Sequence, residues 1–71
     1  MIITVNGEKQ TVEMRELVLS ELLVMNKVDK PDMVSVQVNG QFVDKRSYGL
    51  KKIAENDEVD FLYFVGGGRA S

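Results

Sequence analysis

The sequence contains no cysteine and no histidine. Without cysteine, disulfides cannot staple the fold, and thiolate metal sites and cysteine nucleophiles are excluded. Without histidine, the commonest metal ligand and the commonest general base are missing. Oxygen-only metal binding is left, but no stretch resembles an Asp-rich calcium loop. No apolar run approaches the ~20 residues a membrane helix needs. Residue 1 opens a strand-like run and not a charged leader with an apolar centre, so no signal peptide is expected. A basic excess, the usual mark of a nucleic-acid module, is also absent: the net charge is −2. The local group Lys45, Arg46, Lys51 and Lys52 reads as a solvated face. These absences point to a soluble cytoplasmic domain in a reducing compartment.

What is present is a pattern of short alternating runs and turns. At 71 residues the chain makes one small domain, which buries only about 60% of its unfolded surface around a thin core. Met1, Ile3 and Val5 alternate with Ile2 and Thr4, then Asn6-Gly7 follows. Alternation ending in Asn-Gly signals a hairpin, because both residues tolerate the positive φ of a type I′ turn. The return strand is expected at Lys9 to Glu13 with Val12 inward. In "RELVLSELLVMNKV", Leu19, Leu22, Leu23 and Asn26 fall at i, i+3, i+4, i+7, which puts the leucines on one helical face. Lys27 suits the negative end of that helix, and "DKPD" is expected to break it, since Pro31 disfavours helical geometry at Lys30. Val34, Val36 and Val38 then alternate into Asn39-Gly40, and "QFV" returns. "DKRSYGLKKI" has room for a short helical or 3₁₀ turn, "ENDE" is a turn, and "VDFLYFV" is the last strand.

One amphipathic helix across one face of a mixed four- to five-stranded sheet satisfies this order. The pattern is an α+β β-grasp, or ubiquitin-like, architecture, with first and last strands parallel in the middle of the sheet. The domain is expected over residues 1–65, with a flexible Gly-rich tail at 66–71. The core face should take Met1, Ile3, Val5, Val12, Leu19, Leu22, Leu23, Val34, Val36, Val38, Val59 and Phe61. The period of two then sends Ile2, Thr4, Glu58, Asp60, Leu62 and Phe64 to the open face. Ile2, Leu62 and Phe64 are expected to form an exposed apolar patch that docks a partner. A one-residue slip would bury Leu62 and Phe64 and expose Phe61 instead.

The ending "YFVGGGRAS" is the other candidate for function. A Gly-rich end can be simple disorder or a remnant of cloning. It is not a phosphate-binding loop, since no Gly-Lys-Ser/Thr follows and there is no room for a helix. A C-terminal carboxylate, however, can be adenylated and turned into a thiocarboxylate or ester. Glycine threads a narrow channel where side chains would clash, and Val65 to Gly68 can span about 13 Å. The protein is then a substrate, and the catalytic groups belong to its partner. The only material for an enzyme is carboxylates and lysines, such as Glu58 with Asp60, and such pairs are common on solvated faces.

"VNG", "SELL", "VSVQVNGQFVDKRSY" and above all "NDEVDFLYFVGGG" carry a resemblance that runs from Met1 to Gly68. The chain resembles the ThiS sulfur carriers of the thiamine pathway, within the ThiS/MoaD ubiquitin-like family. The resemblance implies a protein co-substrate and not an enzyme. A ubiquitin-activating-type adenylating enzyme (ThiF-like) would activate its terminal glycine with ATP. Sulfur passed through a persulfide would give a thiocarboxylate that donates to thiazole synthase (ThiG-like). The resemblance also implies that this chain binds no cofactor or metal and that ATP is used by the partner. The sulfur-bearing residue maps onto Gly68, with Gly66 and Gly67 in the threading arm, and the docking face maps onto Ile2, Leu62 and Phe64. Members of this type end at Gly-Gly, and here Arg69, Ala70 and Ser71 follow. A protease removes them, cloning left them, or the carboxylate is not used. The alternatives are a ubiquitin-like interaction or regulatory domain with an inert tail, and a sulfur carrier for molybdopterin or cysteine formation.

Overall fold

The computed structural model describes residues 1–63 of the chain. In chain order the elements are β1 (Ile2–Val5), β2 (Glu8–Thr11), β3 (Leu17–Val18), α1 (Leu19–Met25), a 3₁₀ turn (Pro31–Met33), β4 (Val34–Val38), β5 (Gln41–Val43), a second 3₁₀ turn (Lys45–Ser47), β6 (Lys52–Ile53) and β7 (Glu58–Tyr63). Both Asn-Gly pairs turn the backbone as their chemistry dictates. Asn6 and Asn39 take φ of 51° and 54°, and Gly7 and Gly40 each take 84°, the double left-handed geometry of a type I′ hairpin. They join β1 to β2 and β4 to β5.

The two hairpins flank the last strand. The main sheet has five strands in the order β2-β1-β7-β4-β5, with β1 parallel to β7 and β4 antiparallel to it. First and last strands therefore lie together in the middle, as the sequence pattern requires. β-Branched and aromatic residues stack in rows on the inner face. Val5, Val59 and Val38 are successive partners across three strands, as are Phe61, Val36 and Val43. Such cross-strand pairs are the unit of sheet stability, and here they also fix register, because a one-residue slip would turn every valine outward.

α1 covers the inner face with Leu19, Leu22 and Leu23, all buried. Its start is unlike the usual capped end. Leu17 and Val18 form a strand pairing antiparallel with β6, and the chain enters the helix directly from it. Val18 offers no side-chain acceptor, so the first helical N–H groups are satisfied from outside: Leu19 N donates to Lys51 O at 2.8 Å and Ser20 N to Tyr48 O at 2.9 Å. Glu21 reaches back to the Val18 N–H at 3.0 Å. The helix ends before the expected break at Pro31. Lys27 sits at φ 61°, its N–H bonds Val24 O, and the Val28 N–H bonds Leu23 O, both at 3.0 Å. This is a Schellman ending, with Val28 buried over the last turn. Pro31 instead opens the first 3₁₀ turn.

Of the twelve expected core residues, Met1 is the exception: it is partly exposed and packs against the edge of the core. Leu17, Val28, Tyr48 and Ile53 complete the core. β2 covers Glu8–Thr11, one residue earlier than expected at its start and two at its end. Val12, just past it, is buried, and its N–H bonds Met1 O at 2.7 Å. Tyr48 is buried with its hydroxyl donating to Val34 O at 2.8 Å, which ties the second 3₁₀ turn to the first residue of β4. Gln10 and Asn26 exchange amide hydrogen bonds between β2 and the helix end, at 2.8 and 3.4 Å. The expected boundary at residue 65 lies outside the described residues.

Two expected outcomes follow from these contacts. Lys27→Gly relieves the left-handed side chain and raises the unfolding free energy by about 0.5–1 kcal/mol in urea titration. Tyr48→Phe orphans the Val34 carbonyl and costs about 1 kcal/mol. Burial pushes the Tyr48 hydroxyl above its ordinary 10.0. The unfolded chain therefore loses that proton first, so this contribution is complete below pH 10 and is lost as pH rises through the folded value. Stability measured across alkaline pH should fall less steeply for Tyr48→Phe than for the parent chain.

Candidate docking face and carrier strand

β7 is the strand from which the chain continues toward its glycines, and side chains of both hairpins hold it. On the β1 side, Asn6 N donates to Val59 O at 2.9 Å. There the backbone turns away at Gly7 and has no further carbonyl to offer. The Asn6 side chain supplies it: Oδ1 accepts from Phe61 N at 2.8 Å. On the β4 side, Asn39 Oδ1 accepts from Glu58 N at 2.9 Å, and its Nδ2 donates to Asp57 Oδ1 at 3.0 Å. Asp57 Oδ2 in turn accepts from Ala54 N at 2.8 Å. Each hairpin asparagine thus serves twice, as a left-handed turn residue and as an acceptor for a β7 amide.

The face of the sheet away from α1 carries Thr4 and Ile2 on β1, Glu58, Asp60 and Leu62 on β7, Ser35 and Gln37 on β4, and Lys9 and Thr11 on β2. Val59 and Phe61 are buried, while Leu62 is 42% and Ile2 44% exposed. This places Leu62 outward in the first of the two registers considered. The structure does not bring Ile2 and Leu62 together. Thr4 partners Glu58. Ile2 lies two residues before Thr4, and Leu62 four residues beyond Glu58, so about 20 Å of strand separates them. Parity gives the face of a residue but not its position along a parallel pair. Phe64 and the tail residues Gly66, Gly67 and Gly68 lie outside the described residues.

An exposed aromatic that the alternation did not single out stands on this face. Phe42 of β5 is 67% exposed and partners Gln37, which partners Asp60. Its direction follows from Val43, which packs inward against the core and so sends its neighbour outward. At the rim, Asp44 pairs with Arg46 at 3.2 Å, and that guanidinium, followed by the Arg46 N–H, holds the Asp44 carboxyl below the usual range. A groove of about 500 Å³ opens at the opposite end of the molecule, lined by residues such as Met1, Met14, Arg15, Lys52 and Glu55. Among the described residues no group of carboxylates is arranged to hold a metal, and no helix is long and apolar enough to cross a membrane.

A five-stranded mixed sheet with central parallel β1 and β7 and one helix on one face defines a β-grasp protein. The ThiS family profile matches residues 2–68. The chain belongs to the ThiS family. Its fold superposes on the crystal structure of the thiamine biosynthesis protein ThiS from Geobacter metallireducens with a TM-score of 0.85, at 38% identity over 96% of this chain and 100% of that one. The solution structure of a thiamine biosynthesis protein from the same organism gives 0.80 at 37% identity, over 97% and 90% of the two chains. A thiazole synthase of Magnetococcus marinus is 32% identical over 69 residues, which are 97% of this chain. The chain spans 21% of that relative's length.

The Asn6 clamp separates turn geometry from side-chain acceptance. Asn6→Gly keeps the left-handed turn and removes the acceptor for Phe61 N–H, at a cost of about 1–2 kcal/mol. Asn6→Asp keeps the acceptor and most of the stability. Amide exchange read residue by residue should show Phe61 losing the most protection in Asn6→Gly and little in Asn6→Asp.

Proposed function

We propose that the protein is a sulfur carrier of thiamine biosynthesis, a co-substrate whose reacting group is the carboxylate of Gly68. The observation that carries this reading is the extent of the family match, which runs to residue 68 and takes in all three glycines. Residues 1–65 form the β-grasp body and 66–71 the tail, with the residues beyond Gly68 removed before the reaction. The Gly68 carboxylate attacks the α-phosphorus of ATP and displaces pyrophosphate. A persulfide sulfur then displaces AMP at the acyl carbon. A thiol cleaves the resulting S–S bond, leaving a thiocarboxylate on Gly68 and a disulfide on the thiol's side. Glycine leaves the acyl carbon unhindered, and Gly66 and Gly67 let the arm pass a channel that side chains would block.

The ATP, the persulfide and the acid–base groups belong to a ubiquitin-activating-type enzyme. The absence of histidine and cysteine from this chain accords with that division of labour. The thiocarboxylate delivers its sulfur to thiazole synthase in the cytoplasm. Support for that acceptor comes from the likeness of nearly the whole chain to a segment of a thiazole synthase.

A chain ending at Gly68, incubated with the activating enzyme, ATP and a persulfide donor, should exchange one terminal oxygen for sulfur in its intact mass. Gly68→Val at the same end should slow the exchange by at least about tenfold, by crowding the acyl carbon. A Gly68-terminated chain that stays unmodified, where another ThiS protein is modified in parallel, would refute the carrier reading.

A further inference from the structure

The last stretch of β7 has β4 as its neighbour, and the bonding pattern of β4 shows how that stretch is held. Asn39 N donates to Glu58 O at 2.7 Å, so Asn39 and Glu58 face each other as a hydrogen-bonded pair. In an antiparallel ladder such pairs alternate. Gln37 with Asp60 and Ser35 with Leu62 are therefore the bonded pairs, and Val34, Val36 and Val38 turn their backbone groups toward β5. β5 answers Val38 and Val36 with Gln41 and Val43. It ends there, because Asp44 and the second 3₁₀ turn follow. The Val34 carbonyl thus points past the end of β5.

Tyr48 fills that place. Its buried hydroxyl donates to Val34 O at 2.8 Å. Its own carbonyl accepts from Ser20 N at 2.9 Å, in the first turn of α1. The residue is a strut between the helix and the first residue of β4. Lys45, at the start of the same 3₁₀ turn, adds a second tie: its Nζ donates to Asp32 O, two residues before Val34. On the other flank β1 has ended, and Asn6 Oδ1 holds Phe61 N. Beyond Phe61, the described part of β7 rests on Ser35 and Val34. Those two residues are the ones that Tyr48 fastens.

We propose that Tyr48 is a positioning residue for the reaction at Gly68: through Val34 it fixes the end of β7, and so the root from which the arm starts. This rests on the carrier reading. Tyr48 is buried and acts through β4, not by contact with the carboxylate. With its hydroxyl removed, the Val34 carbonyl is buried without a donor. The terminal pairs Val34–Tyr63 and Ser35–Leu62 then fray to regain water. The root moves back from Tyr63 to Phe61, where Asn6 still holds it. That is two residues, or about 7 Å of strand. Effective concentration at a fixed site falls as the connecting span lengthens, and a displacement of about 1 Å can cost ~100-fold in rate. The loss falls on the chemical step, since the rest of the surface that meets a partner keeps its folded form.

Two measurements on folded variants test this. In amide exchange on the full 71-residue chain, Tyr48→Phe should strip protection from Leu62 while Phe61 keeps its own. The second is adenylation by a purified ThiF-type enzyme, followed as ATP–pyrophosphate exchange on chains ending at Gly68. There Tyr48→Phe should lower kcat about three- to tenfold and leave KM for the carrier within about twofold. Ile53→Val is the control. It loosens the buried β3–β6 pair with a comparable loss of stability, and both constants should stay at the parent values. Thermal melts accompany every variant. If Tyr48→Phe does not fold, exposed Lys45→Met decides instead, by cutting the tie to Asp32 and lowering kcat in the same direction. Unchanged Leu62 protection, an unchanged kcat, an equal fall in Ile53→Val, or a rise in KM alone overturns the proposal and leaves the carrier reading standing. A parent chain ending at Gly68 that gives no exchange, where another ThiS protein does, overturns the carrier reading itself.

Discussion

The parallel contact between β1 and β7 is the constraint on which the architecture depends. It joins residues more than fifty positions apart, and only a short stretch of direct pairing makes it. Asn56 N reaches Ile2 O, Thr4 N reaches Asp57 O, Asn6 N reaches Val59 O, and the last rung is a side chain. A parallel pair needs a long crossover, and everything between Val5 and Glu58 supplies it. The helix, the β3–β6 pair and the second hairpin can close over the inner face only if these two strands meet. The inner rows of valine and phenylalanine reward the meeting, and the Asn6 side chain sets where it ends.

That length also decides what flanks β7. Because β1 turns back at Asn6-Gly7, β7 continues past its first neighbour and is flanked by β4 alone as far as the Val34–Tyr63 pair. The same strand buries Val59 and Phe61 and presents Asp60 and Leu62, so core and open face are interleaved in one segment. A substitution there alters the core or the open face according to its parity.

Much of this was legible in the sequence, for physical reasons that differ between elements. Asn-Gly at 6–7 and 39–40 dictates its own turn, and alternating valines can hide only one face, so both hairpins and nearly all of their inward residues could be read directly. The leucines of α1 were equally plain. Leu17 and Ile53 were not, because a two-residue strand has no period to detect, and their pairing depends on contacts made only after folding. Tyr48 and Val28 each stand alone in irregular segments, where burial follows from a hydroxyl reaching Val34 and from a Schellman ending. The helix stops at Lys27, since backbone bonding and Val28 burial outweigh the cost of a left-handed lysine. The open face was right in its parity for Ile2 and Leu62 and incomplete in its layout. Alternation gives no distance along a parallel pair, and the outward direction of Phe42 follows only once Val43 is seen to pack inward.

The two asparagines that clamp β7 also stand in the dipeptide most prone to chemical ageing. Before a glycine, nothing shields the following backbone nitrogen from the asparagine amide carbon, and ring closure to a succinimide releases ammonia. In the folded chain Asn6 is held by Phe61 N, and Asn39 by Glu58 N and Asp57. The fold therefore shelters its own clamps, and each unfolding excursion exposes them. Opening of the ring at Asn39 would leave a carboxylate against Asp57 where a donor had been, and an isoaspartate at either site would lengthen the backbone inside a two-residue turn. Damage at either site should raise the rate of further damage, a self-accelerating loss that peptide mapping of aged protein can follow turn by turn.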